Sequence, residues 1–117
     1  MSGLVSRLMD RFSLEHQEDA ELQQQSVVAG CTAVAEAPNR EKVQVHGVLR
    51  SVALRPVDQV TALEAELYDG SAPLTLVWLG RRRIVGISPG RGLTVTGRIG
   101  RRGSERVMYN PAYRLDP

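Results

Sequence analysis

The hydrophobic periodicity of this chain changes at Ala37-Pro38-Asn39, from about 3.6 residues before the proline to about two residues after it. A period of two is typical of strands with one buried face, and a helix rarely crosses a proline. With 117 residues, the chain has room for one compact domain and a small helical appendage. We therefore expect a helical segment at residues 1–36 and a β domain at residues 37–117.

Five runs of alternating residues in the β segment are predicted to be strands. Gly47 interrupts the first run and indicates a bend or a bulge. In the third run, Trp78 has the same parity as Leu74 and Leu76, so its side chain is expected to face the core. Asn110-Pro111 is expected to end regular pairing. The predicted strands are Lys42–Leu54, Leu63–Tyr68, Leu74–Leu79, Leu93–Ile99 and Arg106–Tyr109.

The number and lengths of these runs favour a small closed barrel, because closure removes exposed sheet edges. Alternation in the second run predicts a solvent-exposed face that carries Glu64 and Glu66. A long first strand and a long connection from Gly80 to Gly92 match the plan of an OB-type barrel. An SH3-like barrel also has five strands, but its usual loops lack this long connection. We expect a mainly β protein, a five-stranded OB-type Greek-key barrel preceded by one or two N-terminal α-helices.

The segment before the proline is predicted to be helical. Ser2 is a suitable N-cap for an amphipathic run that ends near Phe12, and Ser13 for a second run from Leu14 to Ala29. Gly30 is placed to end this second helix. Few large apolar residues lie in the second helix, so we expect it to pack only partly. Packing of the first run against the domain or a partner chain is favoured over a membrane-surface role.

Positive charge is concentrated in the β segment, although the whole chain carries only +2. Residues 1–40 hold three basic and six acidic side chains, whereas residues 41–117 hold twelve basic and seven acidic ones. The net charges of the two segments therefore have opposite signs, −3 for residues 1–40 and +5 for residues 41–117. A local excess of this kind attracts phosphate or acidic partners more strongly than the net charge suggests.

The arginines of the β segment are candidate contacts to a nucleic-acid backbone. Single-strand binding by OB folds combines a cationic groove with aromatic rings that stack on bases. The loops after the first strand and between the fourth and fifth strands commonly flank an OB binding face, and both are basic here. Solvated loop charges that keep a barrel soluble are the alternative explanation. The candidate residues are Arg50, Arg55, Arg81, Arg82, Arg83, Arg91, Arg98, Arg101, Arg102 and Tyr109.

Aromatic side chains are scarce in this chain. Tyr68 is expected on the exposed face of the second strand, beside carboxylates that would repel phosphate. Tyr109 and Tyr113 have two alternative roles, stacking on bases or fixing the chain end to the barrel. A binding face made mainly of arginine favours contacts to a backbone or a duplex junction over reading of sequence.

Several motifs spread over residues 41–115 are also found together in one known group of proteins. They are Val45-His46-Gly47-Val48, Glu64-Ala65-Glu66-Leu67-Tyr68-Asp69-Gly70-Ser71, Leu76-Val77-Trp78-Leu79-Gly80-Arg81-Arg82, Pro89-Gly90, Gly97-Arg98 and Tyr109-Asn110-Pro111-Ala112-Tyr113. This succession resembles small stand-alone bacterial OB-fold nucleic-acid-binding proteins, which are similar to the OB wedge domain of the RecG branch-migration helicase. The resemblance implies a binding module for DNA or RNA, with DNA favoured. No Gly-x-x-x-x-Gly-Lys-[Ser/Thr] phosphate loop occurs in the chain, so no motor is implied.

The chain lacks the residue patterns of a catalytic or metal site. His16 and His46 are far apart, and Cys31, the single cysteine, is expected to be a small buried hydrophobe. We therefore expect no enzyme activity, no cofactor, no metal and no small-molecule substrate. No apolar run approaches the roughly 18 residues of a membrane span, and no signal peptide is recognised, so a cytoplasmic location without membrane contact is expected.

A protein-interaction module is the alternative function. In this hypothesis the barrel or the acidic helix around residues 15–21 docks onto another protein, and the arginines meet acidic side chains. OB folds host both kinds of function, so the fold alone does not decide between them.

Overall fold

One α-helix precedes a six-stranded sheet in the computed structural model, which describes the backbone of residues 2–117 and the side chains of residues 14–117. The chain is mainly β, as predicted. Between the helix and the sheet lies a single 3-10 turn, Val34–Glu36. The elements are α1 Ser2–Val28, β1 Lys42–Val57, β2 Val60–Tyr68, β3 Pro73–Leu79, β4 Gly92–Arg102, β5 Glu105–Tyr109 and β6 Ala112–Leu115.

The two predicted helical runs form one continuous helix, α1. The predicted boundary at Ser13 is absent because a serine in a helix interior costs only a few tenths of a kcal/mol and does not end the helix. The predicted apolar face ending at Phe12 lies outside the described side chains. Gly30 has φ +72°, and its position just beyond the helix confirms the predicted termination. None of the described helical residues forms a stretch long and apolar enough to cross a membrane.

The sheet closes into a ring because β1 pairs with both β2 and β4. The order around the ring is β1–β2–β3–β5–β4, and β5 runs parallel to β3 while the other pairs are antiparallel. β6 pairs with β4 at Leu93–Thr96, in line with β5. The prediction that pairing ends at Asn110-Pro111 is therefore wrong, because a sixth strand resumes directly after the proline.

β1 is longer than predicted and carries its irregularity at a different residue. The register with β2 shifts between Leu49 and Ser51, whereas Gly47 stays in regular register with β4. β1 continues to Val57 and turns through Asp58-Gln59, both with positive φ, as a tight two-residue hairpin requires. Arg55, predicted in a loop, therefore lies within β1 and pairs with Ala62.

Trp78 lies in the core inside the ring, as its parity predicted, with 5% of its surface exposed. Its indole Nε1 donates a hydrogen bond to the Pro111 carbonyl at 3.2 Å, and its ring meets Tyr113 edge-on at 5.9 Å between centroids. Tyr113 therefore fixes the chain end to the ring, one of its two predicted roles. The fully buried large side chains around Trp78 include Leu49, Leu67, Leu74, Leu76, Leu93, Ile99 and Met108.

The segment between α1 and β1 is tied to the ring. Val34 is fully buried in the core, and its N–H donates to Asp69 Oδ2 at 2.8 Å. Arg106 donates to the carbonyls of Val34 and Ala37. The helix itself contacts the ring at fewer points, such as the 2.7 Å hydrogen bond from Gln23 Nε2 to the Gly70 carbonyl. Its partial packing agrees with the sequence prediction.

Candidate nucleic-acid interface

The outer face of β1 to β5 holds an open groove of about 440 Å³ that contains three carboxylates and two arginines. Arg102 donates to Glu64 from Nη1 at 3.0 Å and from Nη2 at 2.9 Å, and to Glu105 Oε2 at 2.9 Å. Arg55 Nε lies 4.0 Å from Glu64 Oε1. Together with Glu66, three carboxylates face two guanidinium groups in this groove, so it repels phosphate.

The predicted exposed face of β2 is wrong at Glu64, which is only 7% exposed. Burial of a carboxylate costs free energy unless the carboxylate is paired with a cation and hydrogen-bonded. Arg102 supplies both the positive charge and the hydrogen bonds. The hydrogen bonds that Arg102 donates to Glu64, and then those to Glu105, raise the pKa of Arg102 further above its usual range. Arg102 is thus held by carboxylates as a structural cation.

Three further candidate arginines contact the protein itself. Arg50 lies over the ring of Tyr68, with its Cζ 3.5 Å from the ring centroid, beside acidic residues of α1. Arg91 Nη2 donates to the Asp116 carbonyl at 2.8 Å, which holds the C-terminal segment. Arg98 Nη1 donates to the Arg40 carbonyl at 2.7 Å but stays exposed.

Arg81, Arg82, Arg83 and Arg101 are exposed and form no hydrogen bond or ion pair with any described side chain. The first three leave β3 in a connection whose start is fixed by the hydrogen bond from the Gly80 N–H to the Thr61 carbonyl at 2.9 Å. Burial of Ile84 and Ile87 fixes the next part of the connection. These arginines therefore extend from an anchored loop.

Tyr109 lies at the end of β5, on the outer face of the ring, and 45% of its surface is exposed. It lines an open pocket of about 410 Å³ together with Arg40, Arg98, Ile99 and Gly100. The Leu79 N–H donates to Asn110 Oδ1 at 2.9 Å, so the start of the arginine loop lies beside the residue that follows Tyr109. Tyr113 is exposed to a similar extent, 42%, but contacts Trp78, whereas no aromatic contact of Tyr109 occurs among the described side chains, and both roles of Tyr109 stay predictions.

We call this region the tyrosine–arginine surface. The name covers the pocket of Arg40, Arg98, Gly100 and Tyr109, together with the arginines Arg81, Arg82 and Arg83 of the loop that starts beside Asn110. Two of the ten candidates, Arg98 and Tyr109, share the pocket, and Arg81, Arg82 and Arg83 follow the strand end beside Asn110. Val77 pairs with both Glu64 and Tyr109, so this surface adjoins the acidic groove, while Arg101 lies near the β4–β5 turn.

Sequence analysis missed Arg40 and Gly100. Arg40 precedes β1, but its N–H donates to the Ile99 carbonyl at 2.8 Å, which places it beside β4. The fourth strand is predicted to end at Ile99, whereas β4 continues to Arg102 and makes Gly100 a strand residue. Pairing between segments that are distant in sequence places Arg40 and Gly100 beside Tyr109, and local sequence patterns do not predict such pairing.

Among the residues that the structure describes, no group of three or more histidine, cysteine, aspartate or glutamate side chains is arranged to hold a metal ion. Comparisons of the chain with protein-family models and with curated proteins give no match.

Proposed function

We propose that this chain is a non-catalytic nucleic-acid-binding protein with an OB-type barrel. Its ligand is DNA, single-stranded or branched, or RNA, bound mainly through contacts between arginine and phosphate. The observation that carries the proposal is the exposed ring of Tyr109, which lines one pocket with Arg40 and Arg98, two arginines without carboxylate partners among the described side chains.

The topology of the ring supports the OB assignment. Five strands close in the order β1–β2–β3–β5–β4, and the long first strand pairs with two neighbours. This arrangement agrees with a five-stranded Greek-key barrel, and the motif resemblance points to the same fold. The fold alone does not establish a ligand, so the function rests on the surface.

The position of the arginines determines which face meets the ligand. The groove beside Glu64 and Glu66 carries more negative than positive charge, whereas the tyrosine–arginine surface carries five arginines. A phosphate chain is therefore attracted to the Tyr109 part of this face and repelled from the neighbouring part that holds Glu64. Binding through phosphates gives affinity that falls steeply with salt and little preference for base sequence.

The experiment is a titration of the purified protein with labelled single-stranded, duplex and branched DNA and with single-stranded RNA, each at low and at physiological salt. Binding to at least one ligand at low salt, weakened as salt rises, is expected. Absence of binding to all four at low salt would reject the proposal.

An adaptor function is a second candidate, favoured by the exposed end of α1. Val27 and Val28 are 75% and 81% exposed, more than apolar packing on the ring would leave them. A protein partner of this surface should be captured by the full chain and lost with Val27→Ser/Val28→Ser. The same partner should still bind when Arg81, Arg82 and Arg83 are replaced by alanine.

A further inference from the structure

Gly100 is the one described strand glycine for which the fold supplies no reason. Six described glycines have positive φ, where other residues are strained. A Cβ at Gly47, Gly92 or Gly97 would lie within 3 Å of another atom. At Gly100 φ is ordinary, and a Cβ would meet nothing within 4 Å.

The pairing around Gly100 is also regular. Ile99, Gly100 and Arg101 follow one another in uninterrupted register with β5, so no bulge requires the glycine. Glycine in a strand interior costs stability because it has no side chain to pack and loses more backbone freedom. One remaining use of such a glycine is to let a ligand approach the backbone closely.

The neighbours of Gly100 indicate the chemistry of that ligand. Tyr109 offers an exposed aromatic ring in the same open pocket of about 410 Å³, and a bare backbone at Gly100 leaves room for a flat group beside that ring. Arg40 and Arg98 line the same pocket and supply positive charge without a carboxylate partner among the described side chains. A flat ring attached to a phosphate fits all three features.

We infer that the pocket of Gly100 and Tyr109 binds one unpaired nucleobase of a single strand, with Arg40 and Arg98 on the adjacent phosphates. This inference rests on the proposed function. Bases in a duplex are paired and stacked on one another, so their faces are closed to Tyr109, and the site favours single-stranded nucleic acid over a blunt duplex.

The test compares a single strand of about 12 nucleotides with an abasic strand of the same length and charge. The full-length protein should bind the base-bearing strand more tightly by roughly 5- to 150-fold, which corresponds to the loss of about 1–3 kcal/mol when a stacking aromatic is removed. Gly100→Val, which fills the pocket floor with a residue that favours strands, should abolish this preference. Tyr109→Leu should abolish it too, and Tyr109→Phe should retain it.

Each other outcome counts against the inference. Equal binding of both strands by the unmodified protein would overturn it while leaving the proposed function intact, and this comparison needs no variant. Full base preference in Gly100→Val would overturn it as well. A nucleoside monophosphate that binds as tightly as the strand would show a mononucleotide site instead. Failure of both strands to bind at low salt would overturn the inference, and the proposed function would fall with it only if duplex DNA, branched DNA and RNA also failed to bind.

Discussion

Arg102 donates two hydrogen bonds to Glu64, at 3.0 and 2.9 Å, and thereby joins β4 to β2, two strands that are not neighbours in the ring. Only 8% of the Glu64 side chain is exposed, so its charge depends on this partner. Replacing Arg102 with alanine leaves a buried carboxylate with Arg55 alone, 4.0 Å away and largely exposed.

We expect Arg102→Ala to lower the free energy of unfolding by about 1–3 kcal/mol, measured by urea denaturation. This is less than the loss for a fully buried pair, because 35% of the Arg102 side chain is exposed. Arg101→Ala is the matched control, since the neighbouring Arg101 is exposed and has no carboxylate partner among the described side chains. Equal stability of the two variants would contradict the assigned role of Arg102.

The strands could be predicted because alternation is a local property of the sequence. Parity alone placed Trp78 in the core, and the prediction is confirmed. The same rule failed at Glu64, because its burial depends on an arginine 38 residues away that arrives on another strand. The sequence did not predict β6, because Asn110-Pro111 is locally typical of the end of a strand. Beyond β5, however, the edge of β4 at Thr96 is free to pair with Ala112.

The candidate site was predicted in composition but not in arrangement. The sequence marks Arg98 and Tyr109 as candidates, and the structure brings them to one pocket. Nothing local distinguishes them from Arg91 or Arg102, which hold the C-terminal segment and a buried carboxylate. That distinction requires knowledge of tertiary partners.

We expect the free energy of unfolding to fall at alkaline pH, partly because the Tyr68 hydroxyl ionises. Burial, together with the adjacent Asp19 of α1, raises the pKa of Tyr68 above its ordinary value. A raised pKa means that the folded state holds the proton more tightly than the unfolded state does. The resulting stabilisation is complete below about pH 10, the pKa of an unfolded tyrosine, and is lost as pH rises through the higher folded value.

Thermal unfolding of the unmodified protein and of Tyr68→Phe, followed from about pH 8 to about pH 11, checks this expectation. Melting temperature should fall less steeply with pH in Tyr68→Phe, because phenylalanine carries no hydroxyl to ionise beside Asp19. Parallel declines in the two proteins would show that Tyr68 contributes nothing to the alkaline loss.

Gly47 should be far less tolerant of substitution than Gly100. A Cβ on Gly47 would lie 2.5 Å from the Tyr68 carbonyl oxygen, which is part of the sheet backbone and cannot rotate away. We expect Gly47→Ala to cost about 1–3 kcal/mol of unfolding free energy, as overpacking commonly does. Gly100→Ala should be neutral or stabilising by up to about 1 kcal/mol. The added methyl group meets open space, and the substitution removes the free-energy cost of a glycine in a strand. Equal changes in the free energy of unfolding for Gly47→Ala and Gly100→Ala, measured by denaturant unfolding, would contradict the close approach of β1 to β2.

Replacement of Arg81, Arg82 and Arg83 together by alanine should weaken nucleic-acid binding and flatten its salt dependence. Each lost phosphate contact removes about 0.9 from the log–log salt slope on duplex DNA and about 0.7 on a single strand. The three exposed side chains have no intramolecular partner among the described residues, so stability should stay within about 0.5 kcal/mol.

The control for this triple variant is Arg114→Ala, which removes an exposed positive charge on β6, near Cys31 and away from Tyr109. If binding follows only the net charge, the slope should change equally per charge removed in the two proteins. If the tyrosine–arginine surface holds the phosphates, Arg114→Ala should leave the slope nearly unchanged, while the triple variant lowers it by about 2 units. Fluorescence anisotropy titrations at four or more salt concentrations, analysed as log–log slopes, separate the two outcomes. An equal change in slope per charge removed in the two variants would place the phosphate contacts elsewhere on the ring.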